Sequence, residues 1–172
     1  SVVKEEINNL NFFKKFVIRE KKSIFLIGPG AGSNKLTKQK TKIILKNTKF
    51  AVLDADALTC FKKNPKELYK LINKNTIITP HIKEFHTIFP TINKKYSNYQ
   101  KIIEAKKICK CNIILKGSNT LICSSQGNIV LNKHTSNELA VIGSGDVLSG
   151  IISSLVGKNK LNNFLACCAA VW

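Results

Sequence analysis

The residues best placed to do chemistry follow two closely spaced glycines, Gly143 and Gly145. Asp146 comes directly after them and opens the largely apolar stretch Val147–Ile152, so the pattern predicts a glycine turn that begins a helix. The first backbone N–H groups of a helix can bind an anion such as phosphate. A carboxylate at this position would repel a bound phosphate. Its presence is explained if it acts in catalysis, for example by deprotonating a hydroxyl that attacks phosphorus. The alternative is that Asp146 only caps the helix.

Asp54 and Asp56 are the only other aspartates, and both follow the predicted strand Phe50–Leu53. No motif in the sequence places either of them beside the helix start that carries Asp146. We therefore expect Asp146, rather than this pair, to be the general base.

Three further segments could contact a ligand. Gly28–Gly32 (GPGAG) can bring backbone close to a ligand, or could simply form a tight strand-to-helix turn; it matches neither the GxGxxG fingerprint nor the P-loop. Lys116–Thr120 (KGSNT) could hold phosphate oxygens, or could simply form a hairpin turn. His81 and Glu84 could orient a substrate or a metal-bound water, or could only begin a helix.

The elements that must position these residues alternate between short β-branched runs and helical patterns. The expected strands are Ser23–Ile27, Phe50–Leu53, Thr76–Ile78, Asn112–Leu115, Thr120–Cys123 and Ile129–Leu131. The expected helices are Lys35–Leu45, Pro65–Ile72, a segment ending near Phe89, Gln100–Cys109, Gly145–Val156 and Leu161–Val171, with 94–98 as a polar loop. This alternation predicts one α/β layered domain with a mainly parallel central sheet and an antiparallel edge. The polar motifs follow predicted strands, where open α/β sheets bind ligands.

The composition is that of a globular protein, with 44% hydrophobic and 22% charged residues among 172. The net charge of +18 could indicate a nucleic-acid partner, but Arg19 is the only arginine, whereas nucleic-acid binders favour arginine for bidentate contacts. No apolar run reaches the roughly 18 residues of a membrane span. We expect neither nucleic acid nor membrane as a partner.

Six cysteines without a CxxC pair predict free thiols in a reducing cytoplasm. His86 and His134 are expected to be structural or surface residues.

Taken in order, the segments IGPGAG, VLDADAL, TPHIKEF, ILKGSNTLI and AVIGSGDVLSGIISSL resemble the ADP/ATP-dependent NAD(P)H-hydrate dehydratase family. The resemblance covers residues 23–172 and implies a ribokinase-like fold. It implies dehydration of hydrated NADH or NADPH, through phosphorylation of the ring hydroxyl and loss of phosphate. The implied cofactors are ADP or ATP, together with Mg²⁺.

The resemblance also assigns roles to individual residues. It makes Asp146 the catalytic aspartate, in contact with the hydrate as well. The positions that match nucleotide contacts are Lys116, Gly117, Ser118, Asn119, Thr120 and Gly145, and those that match substrate contacts are Gly30, Gly32 and His81. Glu84 lies where related kinases keep a carboxylate near the metal. Asp54 and Asp56 match the family's DADAL motif, whose role stays open.

Family domains begin well before the GPGxG motif, so residues 1–172 are expected to be the carboxyl-terminal part of a single dehydratase domain. Ser144 replaces the threonine that is common in the family. The implied partners are the hydrated dinucleotide, the adenine nucleotide, further copies of the chain and, in the full protein, a fused epimerase domain. Two alternatives stay open: a ribokinase-like kinase of a small alcohol such as a vitamin precursor, and an inactive remnant of the dehydratase.

Overall fold

The structure is a computed structural model that describes residues 9–133, 141–158 and 162–172. Its described strands form one sheet in the order β1 to β6: β1 (Ile24–Ile27), β2 (Phe50–Leu53), β3 (Thr76–Ile78), β4 (Asn112–Leu115), β5 (Thr120–Cys123) and β6 (Ile129–Asn132). Strands β1 to β4 pair in parallel, and β5 and β6 continue the sheet antiparallel. The predicted α/β fold, with its mainly parallel sheet and antiparallel edge, is confirmed.

Helices cover both faces of this sheet. They are α1 (Leu10–Arg19), α2 (Lys35–Asn47), α3 (Asp56–Thr59), α4 (Pro65–Tyr69), α5 (Ile82–Ile88), α6 (Asn98–Ile108), α7 (Ser144–Lys158) and α8 (Asn163–Val171). Side chains alternate between the two faces of a strand, so Val52 and Ile77 pack with α7 and α8, whereas Leu53 and Ile78 pack with the other helices. Because both faces are covered, the central strands are continuous apolar runs.

Side-chain caps stabilise the first turns of two helices, α6 and α1, that the sequence prediction placed differently or missed. Helix α6 starts at Asn98, two residues before the predicted start and inside the predicted polar loop. The Ser97 side chain accepts from the Gln100 N–H, and the Gln100 side chain accepts from the Ser97 N–H. Helix α1 had no counterpart in the sequence prediction; Asn9 caps it, and it buries Phe13 and Val17. The described helices include none that is long and apolar enough to cross a bilayer.

Candidate active site

The predicted polar segments meet at one edge of the sheet, where β1 to β4 end. Parallel strands bring their carboxyl ends to the same side, so the segments that follow them become neighbours. The last two of these loops are paired directly: His81 and Lys116 form a parallel bridge, and the Lys116 N–H donates to the Pro80 carbonyl at 2.9 Å. The amino-terminal turn of α7 lies at this edge as well, because Gly145 is next to the Lys116 side chain.

Asp54, the first residue after β2, is the most connected polar group of this edge. Its carboxylate is buried, with 1% of the residue exposed. One oxygen, Oδ1, accepts from the Lys116 Nζ at 2.7 Å and from the Ala55 N–H at 2.9 Å. The other, Oδ2, accepts from the Ser149 hydroxyl of α7 at 2.7 Å. No sequence motif places Asp54 beside the helix that carries Asp146, but the structure joins Asp54 to that helix, because α7 packs across the end of β2.

Helix α7 presents its first turn to the Lys116 ammonium. Gly143 has a positive φ of 90°, and its carbonyl accepts the Val147 N–H at 3.0 Å. A Cβ added at Gly145 would lie 3.3 Å from the Lys116 Nζ. The positive end of the helix and a lysine cation therefore lie side by side, and together they favour a bound anion.

Asp146 is the third residue of α7 and is exposed. Its carboxylate makes no hydrogen bond or ion pair with any residue that the structure describes. A helix-capping side chain would accept a backbone N–H of the first turn, so the capping alternative finds no support in the described contacts. The carboxylate is free to take a proton from a ligand bound at this edge.

The GPGAG loop is tied to the same centre through Asp56. Its Oδ2 accepts from the Gly32 N–H at 2.8 Å, and the Thr37 hydroxyl donates to the Ala31 carbonyl at 2.8 Å. Gly28 has a φ of 134°, and a Cβ there would lie 1.7 Å from the Asp54 backbone oxygen. The loop can therefore approach the Asp54 turn closely only with glycine at position 28.

The turn that carries both aspartates is strained. Ala55 adopts a φ of 45° and a ψ of −114°, a region that residues with a side chain rarely occupy. Such backbone strain costs about 1–3 kcal/mol and persists where surrounding contacts hold it. Here the contacts of Asp54 and Asp56 hold the turn from both sides.

His81 and Glu84 form a reciprocal cap at the start of α5. The His81 Nδ1 accepts the N–H groups of Lys83 at 3.0 Å and Glu84 at 3.2 Å, and the Glu84 Oε2 accepts the His81 N–H at 2.8 Å. The helix-start alternative therefore describes what this pair does structurally. Since Nδ1 accepts, Nε2 carries a proton. It lies 3.5 Å from the Glu84 Oε1, and because the side chain is half-exposed a ligand can still reach it.

Lys116–Thr120 forms a hairpin that joins antiparallel β4 and β5. This is the alternative to phosphate binding that the sequence left open, and an exposed hairpin can also contact a ligand. The Thr120 hydroxyl donates to the Gly117 carbonyl at 3.1 Å, and residues 117–119 are exposed. Lys116 reaches into the centre through its side chain, whereas the other four residues present the rim of the hairpin. The structure therefore brings Lys116, Gly145, Asp146 and His81 to one edge, with the GPGAG loop joined to them through the Asp54–Asp56 turn.

Among the described residues, neither His86 nor any cysteine has a side-chain contact with Lys116, Gly145, Asp146 or His81. His86 packs edge-on against Phe85, and burial lowers its pKa; His134 lies outside the described residues. All six cysteines are free, as predicted, and burial raises the pKa of Cys60 to about 11 and that of Cys167 to about 12. Thiols with such pKa values are poor nucleophiles at neutral pH.

Sequence reasoning missed Asp54 and Ser149 as partners of Lys116. Ser149 is fully buried in α7 four residues after Gly145. A serine on the apolar face of a predicted helix, one turn after a glycine motif, was the available signal, since a buried hydroxyl needs a partner.

The chain is similar in sequence to proteins of known function. The sequence profile of a family described as NAD(P)H-hydrate dehydratase matches residues 4–172. A similar curated protein is the bifunctional NAD(P)H-hydrate repair enzyme of Thermosynechococcus vestitus, 33% identical over 140 residues, which are 80% of this chain and 26% of that protein. The chain spans 22% to 53% of the length of the curated relatives with which it was compared.

Two solved structures have the same fold. One is the ADP/ATP-dependent NAD(P)H-hydrate dehydratase of Bacillus subtilis, co-crystallised with ATP/Mg²⁺ and soaked with CoA; it is 25% identical with a TM-score of 0.69, over 94% of this chain and 59% of that one. The other is a ribokinase-like superfamily protein of Enterococcus faecalis, 22% identical with a TM-score of 0.75, over 94% of this chain and 54% of that one. The predicted ribokinase-like fold is confirmed.

Proposed function

The chain belongs to the NAD(P)H-hydrate dehydratase family, and we propose that its protein dehydrates hydrated NADH or NADPH to the intact dinucleotide at the expense of ADP or ATP. The observation that carries the proposal is the first turn of α7. There, the exposed carboxylate of Asp146, which pairs with no described residue, stands next to a helix start and a lysine cation. Phosphoryl transfer to a hydroxyl requires a proton acceptor beside a site for phosphate charge.

In the proposed reaction, the added ring hydroxyl attacks the terminal phosphorus of the nucleotide. Asp146 takes the hydroxyl proton as the new P–O bond forms and the bond to the nucleotide's leaving oxygen breaks. The N–H groups of the first turn of α7, including that of Gly145, and the Lys116 ammonium offset the charge on the phosphoryl oxygens. The phosphorylated ring then loses phosphate, together with a proton from the neighbouring carbon, and the dihydronicotinamide is restored.

The nucleotide is proposed to lie along the hairpin Lys116–Thr120 and against Gly145. The loop 117–119 is exposed to a ligand, and the Bacillus subtilis relative was crystallised with ATP/Mg²⁺. The described residues contain no group of three His, Cys, Asp or Glu side chains that could hold a metal. Mg²⁺ at nucleotide sites needs only one or two carboxylates besides phosphate oxygens. Glu84 would be the carboxylate available to a Mg²⁺ that the nucleotide brings, and the ion would offset charge on the phosphate oxygens.

The hydrated dinucleotide is proposed to contact Gly30, Gly32 and the His81 side chain. An added Cβ at Gly30 would meet no atom within 4 Å, so a ligand can approach that backbone. The His81 Nε2 proton can be donated to an oxygen of the ligand. Asp146 completes this set as the group that touches the reacting hydroxyl.

We further propose that residues 1–172 are the carboxyl-terminal part of a single dehydratase domain, that copies of it associate, and that the protein acts in the cytoplasm. The six free cysteines suit a reducing compartment. The bifunctional name of the Thermosynechococcus relative supports a second, fused domain, for which an epimerase is the proposed activity. The kinase alternative is less supported, because the matching family is the dehydratase.

The experiment that tests the function incubates the intact protein with hydrated NADPH and either ADP or ATP. The near-ultraviolet absorbance of NADPH should return, and phosphate should be released in equal amount. A protein that consumes ATP with a vitamin-precursor alcohol and leaves the hydrate untouched would establish the kinase alternative. A protein that binds nucleotide and turns over neither substrate would establish the inactive remnant.

A further inference from the structure

We propose that Asp54 is a positioning residue for this reaction, and that its carboxylate sets the separation between the Lys116 cation and the first turn of α7. The inference rests on the proposed function and extends it to a side chain that need not touch either ligand. It comes from one buried group that contacts two elements of the site with different oxygens.

The first element is the nucleotide hairpin, held through Lys116. The ammonium lies 2.7 Å from Asp54 Oδ1, and the two side chains are 20% and 1% exposed. A lysine ammonium on its own flexible stem has many rotamers. Pairing with a buried carboxylate selects one of them and points the ammonium at the end of the sheet, beside Gly145.

The second element is α7, held through Ser149. Its hydroxyl is 2.7 Å from Asp54 Oδ2 and 3.0 Å from the Gly145 carbonyl. Ser149 lies three residues after Asp146, so it is one turn further along the same helix. The hydrogen bond therefore fixes the height and rotation of the turn that carries the proposed base.

The backbone of the turn restricts Asp54 itself. The Ala55 N–H donates to Asp54 Oδ1 at 2.9 Å, and Ala55 is held at a φ of 45°. Asp54 thus has little freedom of its own. A carboxylate that only neutralised Lys116 would not need this rigidity. Because Asp54 is rigid, it can hold Lys116 and α7, which are far apart in sequence, at a fixed separation.

Double-mutant cycles in the intact protein test the inference. Asp54→Asn keeps the shape of the side chain but removes its charge, and Lys116→Gln removes the ammonium. Each change should weaken ADP binding about tenfold, and the double variant should bind about as weakly as either single one, because groups in contact are not additive. Asp54→Asn should also lower kcat, and Ser149→Ala should add little to that loss.

Two comparisons separate positioning from general damage. Asp56→Asn makes the same chemical change two residues away, where the carboxylate contacts Gly32; it should raise KM for the hydrate and leave ADP affinity within about threefold. Glu104→Gln alters a half-exposed carboxylate of α6 that pairs with Lys107, away from the site, and should change neither value. If Asp54→Asn does not fold, Ser149→Ala and Lys116→Gln form a cycle through the intact carboxylate, and their effects on ADP affinity should also be non-additive.

Additive effects in a wild-type protein that turns over the hydrate would overturn the role of Asp54 and leave the proposed function standing. Non-additive effects on ADP affinity in a protein that never restores NADPH would support the role of Asp54 and overturn the function. A wild-type protein that binds neither ADP nor ATP would overturn both.

Discussion

Replacing Gly28 by alanine tests whether the close approach of the GPGAG loop to the Asp54 turn organises the site. The added Cβ would lie 1.7 Å from the Asp54 backbone oxygen and 3.1 Å from the Ala57 Cβ. No rotamer relieves this clash, because the atom it meets is backbone. The strand ends must separate, or φ must leave its value of 134°.

The loss in stability follows from two contributions. Holding alanine in a sparsely populated backbone region costs about 1–3 kcal/mol, and forcing a methyl into a packed site costs about 1–3 kcal/mol. We therefore expect Gly28→Ala to lower the free energy of unfolding by about 2–6 kcal/mol, a large part of the 5–15 kcal/mol typical of a domain. ADP affinity should fall as well, because Asp54 is displaced.

Gly30→Ala is the matched control for stability. It lies in the same loop with a φ of 64°, but a Cβ there meets nothing within 4 Å. Only the backbone strain applies, at about 1–2 kcal/mol. Denaturant unfolding of both variants measures the difference. If Gly28→Ala is no less stable than Gly30→Ala, the close approach does not organise this edge.

Three shorter predictions concern charge. Lys116→Ala should weaken ADP binding by about tenfold in calorimetry, and unchanged affinity would remove Lys116 from the nucleotide site. Hydrogen bonds from Lys38 and Lys42 lower the pKa of Glu67 from 4.5 to about 2. Glu67→Gln should therefore lower the free energy of unfolding by about 0.5–1 kcal/mol at pH 7. This difference from the wild type should vanish as the pH falls from 4.5 to 2, whereas a difference that stays constant with pH would refute the pairing. The charge of +18 should give only weak, salt-sensitive binding of duplex DNA, with Kd on the order of 10⁻⁴ to 10⁻⁶ M, and sub-micromolar binding at about 0.15 M salt would contradict this.

Local patterns were enough to predict most of the fold. The bounds of β2, β3, β4 and β5 match the prediction, because each is a short apolar run between turn residues. Helix α1 was not predicted; its two buried residues, Phe13 and Val17, stand among exposed lysines and a second pair of aromatic residues. Phe13, Phe16 and Val17 nevertheless recur at helical spacing, so the periodic pattern of this helix is present in the sequence.

The site could be predicted as a set of segments but not as a network. Each segment was recognised by its own residues, and the parallel sheet accounts for their meeting at one edge. The contact of Asp54 with Ser149 joins residues 95 positions apart, and no spacing in the sequence indicates it. Such contacts depend on how α7 packs across β2, which only the three-dimensional fold determines.

Substituting Asp146 by asparagine in the intact protein tests whether this carboxylate is the general base. The amide keeps the shape of the side chain and leaves the glycines and N–H groups of the helix start intact, so ADP affinity should stay within a few-fold of wild type. The hydroxyl proton would lose its acceptor, and turnover of hydrated NADPH should fall by about 10²–10⁴-fold. A variant that restores NADPH at nearly the wild-type rate would show that the proton goes to another group and would contradict the mechanism.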